Sequence, residues 1–285
     1  MVYDKARGLF LPESTDKQNV LALNWSITGF CMNNCLYCYG KDISALRFLE
    51  ESERIALIRN IVSLQPDLII ITGGEPLSCE YFRTTVEDFG DSGLNVIVDT
   101  SGVINLQDYI QLFRRYNVHV RISLDSSDSR INEGIRHSPI TNSTQVVKDN
   151  ISLLISKDVP LTIQSTITSS NIEHIVDLGE YLQQEGVKNW RLSVVIPHDD
   201  VLLDQSMRVF KIVVSLFPNM YIRISNTSVE SGNGILLVDP IGNLILRGSK
   251  NNEKARICNL LFSPRSKDYI IGLVDYKSHI SRYTG

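Results

Sequence analysis

Strand-like and helix-like patterns alternate along most of this chain, and that alternation most constrains what it can fold into. Apolar, β-branched runs at 20–28, 68–72, 94–100, 118–124, 160–166 and 189–196 read as strands. Residues 51–64, 80–89, 106–116, 144–157, 172–184 and 202–217 read as helices, with apolar side chains three and four apart, as at Ile55, Ile58, Ile61 and Val62. Asn171 stands at the start of one such run and Gly186 sits where its C-terminal cap belongs. Strands joined through helices lie parallel, with the helices packed outside the sheet. Six units are too few for a closed eight-unit barrel. The expected fold class is therefore α/β: a partial (β/α)6 barrel with a parallel sheet and a small C-terminal extension containing a β-hairpin. The expected divisions are a lead-in at 1–19, the barrel at 20–218 and the extension at 219–285. Within the extension, 234–247 reads as a hairpin turning through Pro240, Ile241, Gly242 and Asn243, and 268–275 is another short apolar piece.

The loop after the first strand carries Cys31, Cys35 and Cys38, a C-x3-C-x2-C spacing. Three thiolates on one short loop can hold three irons of a [4Fe–4S] cluster and leave the fourth iron open, as a catalytic metal site keeps a free position. Two other readings stand beside this one. A zinc site would need a fourth ligand, yet none of the five histidines lies at finger spacing from Cys38. A disulfide or redox cluster fits poorly with an N-terminus that lacks the apolar core of a signal peptide.

The loop after the second strand reads Gly73, Gly74, Glu75, Pro76. Paired glycines there let the backbone approach a ligand closely, and Glu75 adds a carboxylate. An ordinary strand-to-helix turn would use the same residue types. The two loops follow successive strands, so both are expected at the C-terminal rim of the sheet, where barrel active sites collect.

The cysteine spacing with Tyr37 before its last member, followed by Gly-Gly-Glu-Pro, resembles the radical S-adenosylmethionine (radical SAM) superfamily. The resemblance extends to Ser123, Leu124 and Asp125 at the end of the fourth strand and to Ile135 and Arg136 soon after, a signature of the group with the molybdenum-cofactor cyclase and many peptide-modifying enzymes. It implies one [4Fe–4S] cluster on Cys31, Cys35 and Cys38, with SAM on its open iron and one-electron cleavage of SAM to a 5′-deoxyadenosyl radical that abstracts hydrogen from a substrate. It implies that Gly73, Gly74, Glu75 and Pro76 bind the SAM amino group. Ser123 and Arg136 would meet its carboxylate, Thr100 would approach SAM, and Tyr37 and residues 194–197 would lie near adenine. Capping or turn roles for Thr100 and Asp125 and a core role for Gln164 remain open beside these, as does a polar-loop role for His198, Asp199 and Asp200.

The extension resembles the SPASM/twitch group but lacks its auxiliary-cluster cysteines. Of the five cysteines only Cys79 and Cys258 lie outside the motif. Cys79 reads as a small buried hydrophobe. Cys258 is a candidate hydrogen donor to a substrate radical, set against a plain core role. The implied partners are a peptide or small-molecule substrate, with a ribosomal peptide or small natural product favoured, and an electron donor such as flavodoxin or ferredoxin. Alternatives are a sugar or nucleoside epimerase or dehydrogenase, a molybdenum-cofactor cyclase, which the missing second cluster disfavours, and a non-catalytic Fe–S or SAM-binding scaffold. A net charge of −4 gives no electrostatic ground for nucleic-acid binding, and no apolar run reaches membrane-spanning length. The expected location is the cytoplasm.

Overall fold

Seven parallel strands in chain order, β3 to β9, form the body of the protein in a computed structural model that describes residues 2–11, 20–38, 40, 49–195, 199–225, 233–248 and 254–274. They are β3 (Ala22–Thr28), β4 (Leu68–Gly73), β5 (Val96–Thr100), β6 (His119–Ser123), β7 (Leu161–Ile167), β8 (Asn189–Val194) and β9 (Tyr221–Ser225). The connecting helices are α1 (Glu51–Ser63), α2 (Phe82–Asp91), α3 (Ile110–Arg115), α4 (Ser129–Arg136), α5 (Ser143–Ser156), α6 (Ile175–Gln184) and α7 (Asp200–Leu216). A hairpin, β1 (Val2–Asp4) and β2 (Leu9–Leu11), precedes them. After β9 come β10 (Asn233–Val238), β11 (Asn243–Gly248), β12 (Lys254–Asn259) and α8 (Lys267–Gly272).

The sheet order is β12-β11-β10-β3-β4-β5-β6-β7-β8-β9, an open sheet with β12 and β9 at its edges. The partial-barrel expectation holds, with two additions. β9 pairs parallel with β8 as a seventh barrel strand, so the sheet runs on past residue 218. β10 pairs parallel with β3 at the other side, and β10–β12 then continue antiparallel. The expected hairpin is β10–β11, turning through Asp239 to Gly242.

Alternation along each strand sorts side chains into two environments. Outward residues pack under the helices: Leu23, Trp25 and Ile27 of β3, Ile69 and Ile71 of β4, Val120 and Ile122 of β6, Trp190 and Leu192 of β8 all belong to one core. Each such aliphatic side chain contributes about 1.5–3 kcal/mol when fully buried. The inner wall is divided. Its lower part on β3–β5 is apolar, with Val20, Ala22, Leu68, Ile70 and Ile97 packed together against Tyr3. On β6–β9 it is polar, with Ser123, Gln164, Arg191 and Arg223 aligned in one register row.

The N-terminal hairpin closes the floor of this barrel. Asp4 shapes its turn by accepting from the amides of Ala6 (2.9 Å) and Arg7 (3.2 Å). The buried His119 ring faces the Lys5 carbonyl at 2.9 Å through Nδ1 and the Thr162 hydroxyl at 2.8 Å through Nε2. A carbonyl only accepts, so Nδ1 carries the proton and Thr162 donates to Nε2. Gly8 lies on this ring at φ +62°, and a Cβ there would sit 2.7 Å from it.

Candidate active site

The cysteine loop leaves β3 at Thr28 and is sewn to its neighbours on two sides. On one side the Gly74 amide donates to the Thr28 carbonyl (2.8 Å) and the Glu75 amide to the Phe30 carbonyl (2.7 Å). On the other, the Asn34 amide donates to the His137 carbonyl (3.2 Å) and the Leu36 amide to the Ile135 carbonyl (3.0 Å), at the end of α4. Gly73 adopts φ +142°, a conformation that L side chains rarely take. A Cβ on Gly74 would stand 2.0 Å from the Phe30 carbonyl oxygen. The paired glycines thus serve a close approach of backbone to backbone, between the β4 loop and the start of the cysteine loop.

Glu75 is fully buried. Its Oε1 accepts from the Thr100 hydroxyl (2.7 Å) and the Leu77 amide (3.3 Å), and its Oε2 from the Ser101 amide (2.8 Å) and the Ser101 hydroxyl. Burial raises its pKa, while the Ser101, Thr100 and Leu77 donors pull it back down. Thr100 in turn accepts from the Gly102 amide at 3.1 Å. The structure therefore joins Glu75 to Thr100 and locks the ends of β4 and β5 together; Pro76 follows in a short 3-10 turn, Pro76–Ser78.

A second buried knot lies across the loop. Asp125 Oδ2 accepts from the Tyr37 hydroxyl (2.5 Å) and from Arg136 Nη1 (3.0 Å), while Oδ1 accepts from the Thr166 amide (2.7 Å). Arg136 also donates to the Tyr37 oxygen at 2.9 Å. Burial alone would lower the Arg136 pKa, but the oxygens of Tyr37 and Asp125 outweigh it and raise it. The placement gives Arg136 and Tyr37 partners inside the protein. They brace the cysteine loop against β6, β7 and α4, and the Arg136 charge lies close enough to Cys35 to favour its thiolate. Asp128 caps α4 by accepting from the Arg130 and Ile131 amides.

The donor set fits an iron–sulfur cluster. Cys31 is half-buried, Cys35 buried and Cys38 exposed, and none forms a disulfide. Burial pushes the Cys31 thiol up to about 11, and burial likewise raises Cys35. The thiolates of Cys31 and Cys35 are thus disfavoured in the free loop, and a bound cation would favour them. The Asn33 side chain is buried in the same loop with both its nitrogen and its oxygen unpartnered, as expected where a polar group completes the surroundings. Among the described residues no three His, Cys, Asp or Glu side chains converge on a single-ion site. A cluster does not ask for that, because each thiolate takes a different iron.

Other expected residues fall elsewhere. Ser123 ends β6 on the inner wall, half-buried, with Gln164 beside it in the register. Cys79 is buried in the outer core. Cys258 is not brought to the rim: in β12 it pairs with Leu244 of β11, on the outer face of the sheet, level with Trp25 in the middle of β3. It sits in an apolar core position, three strands from the strand that leads into the cysteine loop, so the described residues do not bring it together with Cys31, Cys35 and Cys38. Asp199 caps α7 by accepting from the Leu202 amide (2.7 Å), and Asp200 is that helix's first residue. Ile196, Pro197 and His198 lie outside the described residues. Sequence reasoning misses Ser101 and Asn33, and it offers Asp125 as part of the family signature with capping as the alternative. The position of Ser101 directly after the third strand was the available signal.

The Radical SAM superfamily model matches residues 25–201, more than half of the chain. The AdoMet-dependent heme synthase of Methanosarcina barkeri is 24% identical over 176 residues, covering 61% of this chain and 50% of that protein, so the chain spans half the length of that relative. The S-adenosylmethionine-dependent nucleotide dehydratase of Flammeovirga pacifica is 21% identical over 237 residues, covering 78% of this chain and 80% of that one. Among solved structures, native anSMEcpe with bound AdoMet and Cp18Cys peptide superposes with a TM-score of 0.72 at 13% identity, covering 92% of this chain and 82% of that one.

Proposed function

Because the chain belongs to the radical SAM superfamily, we propose that its rim holds one [4Fe–4S] cluster on Cys31, Cys35 and Cys38 and binds SAM for hydrogen abstraction from a peptide or small-molecule substrate. The observation that carries this reading is the direct stitching of the Gly73–Glu75 segment to the cysteine loop by two backbone bonds of 2.7–2.8 Å. Such a cluster with SAM bound supplies one-electron cleavage of SAM to a 5′-deoxyadenosyl radical. The protein's own work is positional. Gly73 and Gly74 set the two loops in contact. Glu75, spent on Thr100 and Ser101, holds the loop shape and leaves its neighbouring backbone to meet the methionine ammonium. Asp125 and Arg136 fix the far side of the loop. Substrate enters above the polar inner wall of β6–β9, where Ser123, Gln164, Arg191 and Arg223 are only half-buried.

The bound peptide of anSMEcpe supports a peptide substrate, and the SPASM-like hairpin β10–β11 agrees with it. The named activity of the Flammeovirga relative supports a nucleotide instead. The electron donor is a small carrier such as flavodoxin or ferredoxin. Among the described residues no helix is long and apolar enough to cross a membrane, which agrees with a cytoplasmic setting.

The test is anaerobic reconstitution followed by dithionite and SAM. About four iron and four sulfide per chain and release of 5′-deoxyadenosine are expected. A chain that binds iron yet leaves SAM intact is a scaffold, and the enzymatic reading then falls.

A further inference from the structure

Buried charge stands against the cysteine loop from two sides. Among the described residues, the Glu75 carboxylate acts on Cys31, and Asp125 with Arg136 acts on Cys35. Glu75 is spent on donors from Thr100, Ser101 and Leu77. Asp125 is spread over the Tyr37 hydroxyl (2.5 Å), Arg136 Nη1 (3.0 Å) and the Thr166 amide (2.7 Å). Arg136 is less fully spent. Its Nη1 serves both Tyr37 and Asp125, while its Nε–H is buried without a partner. The side chain is only 8% exposed, so solvent and salt screen its charge little. The backbone holds it in place. Leu36, next to Cys35, donates to the Ile135 carbonyl (3.0 Å) and Asn34 to the His137 carbonyl (3.2 Å), so the loop is tied to the residues on both sides of Arg136. Of the two charges in this knot, Arg136 acts on Cys35 more strongly than Asp125 does.

On the reading of Cys31, Cys35 and Cys38 as the ligands of one [4Fe–4S] cluster, we infer that the buried Arg136 guanidinium sets that cluster's reduction potential, holding it higher than the carboxylates around the loop would leave it. Taking one electron from a low-potential one-electron carrier adds one negative charge to the cluster and its three thiolates. No bond breaks and no proton moves in that step. A fixed cation nearby favours the more negative, reduced state, and a fixed carboxylate disfavours it. Burial makes the effect larger than it would be at a solvated surface. In this role Arg136 is a positioning residue that acts through Cys35, and Asp125 opposes it while holding it in place.

The test is a redox titration of the cluster-loaded protein without SAM, followed by the electron paramagnetic resonance signal of the reduced cluster. Arg136→Gln, Arg136→Lys and Asp125→Asn are compared with the wild type, and iron content and the melting transition report whether each is loaded and folded. At the potential where half of the wild type is reduced, Arg136→Gln should lower the ratio of reduced to oxidised cluster about tenfold, a shift of 59 mV for one electron. Arg136→Lys keeps the charge and should stay within about twofold of the wild type. Asp125→Asn removes the opposing charge and should raise the ratio. The opposite signs carry the test. Arg136→Gln and Asp125→Asn break the same knot, so a merely structural role would move both the same way. Shifts of equal sign overturn the inference, as does an unmoved ratio in Arg136→Gln. If no variant takes up a cluster, the knot is a scaffold and the inference falls. A wild type that takes up no cluster sinks the cluster reading and this inference together, whereas a loaded wild type with unmoved variants sinks this inference alone.

Discussion

The two ends of the barrel solve different problems. At the floor, buried polar groups find partners in the N-terminal hairpin and the neighbouring strands. His119 uses both ring nitrogens, and Asn189 donates to the carbonyls of Ala6 (3.0 Å) and Leu161 (3.1 Å). At the rim, the backbone is just as tightly stitched, yet chemistry is left over: three thiols, two of them raised by burial, and an unpartnered Asn33 amide. In parallel α/β barrels the N-terminal end serves stability and the C-terminal end serves function. Here the difference can be read in which groups are satisfied from within, and substitutions at each end test it.

The largest effect belongs to the rim. Gly74→Val would place a Cβ inside contact distance of the Phe30 carbonyl and the Cys31 amide, both backbone atoms that cannot swing aside. The clash displaces the cysteine loop itself. Iron content after reconstitution should fall to near zero, and SAM cleavage with it. Full iron loading with normal 5′-deoxyadenosine release would mean that the two loops do not depend on each other.

Next comes the knot beneath the loop. Asp125→Ala removes the acceptor of three bonds and leaves the Arg136 guanidinium buried without its carboxylate. Breaking a buried pair in this way costs about 3–5 kcal/mol. Denaturant unfolding of the iron-free protein measures it. Arg136→Ala should cost a similar amount, and the double variant much less than the sum, because each single change already breaks the pair. Additive costs would show that Asp125 and Arg136 act separately, and that the arginine is available to SAM after all.

How far these contrasts were readable in the chain depends on range. Six βα units, the cysteine spacing, the Gly-Gly-Glu-Pro turn and the β10–β11 hairpin all have signals within a few residues, and each stands where it was expected. The β1–β2 hairpin has two three-residue strands, too short for a period-two pattern. α4 is eight residues long and mostly polar, so its capping by Asp128 was its main signal. β9 is hidden within the extension because its inward residues, Tyr221, Arg223 and Ser225, dilute an apolar run that only the sheet explains. The partners of Arg136 and Thr100 were invisible for another reason. Arg136 meets Tyr37 across 99 residues and Thr100 meets Glu75 across 25, and no local pattern encodes such pairs.

The floor should reveal itself in acid. Burial foremost, and the charges of Arg121 and Arg223, lower the His119 pKa from 6.5 to about 4, against the Lys5 carbonyl and Asp4, which raise it. The folded protein therefore resists protonation at pH values where the unfolded chain accepts it. Stability from neutral His119 is complete above about pH 6.5 and is lost as pH falls toward 4, by roughly 3 kcal/mol at 1.36 kcal/mol per pKa unit. His119→Gln should lower stability at pH 7 but flatten the decline between pH 6.5 and 4. Melting temperatures across that range check it, and an equally steep decline in the variant would assign the acid limb to other groups.

The smallest effect is expected far from both ends. Cys258 is 8% exposed and packs among Leu244, Leu246 and Leu260 on the outer face of the sheet. Burial raises its thiol pKa, against the influence of Arg265, so at neutral pH it is a small apolar group with little thiolate character. Cys258→Ala removes one buried sulfur and leaves a small cavity, at a cost of about 1 kcal/mol. SAM cleavage and the yield of finished product should be unchanged. A variant that still releases 5′-deoxyadenosine but accumulates unfinished product would show that this edge of the sheet reaches the reacting centre. The division between a reactive rim and an inert outer core would then have to be redrawn.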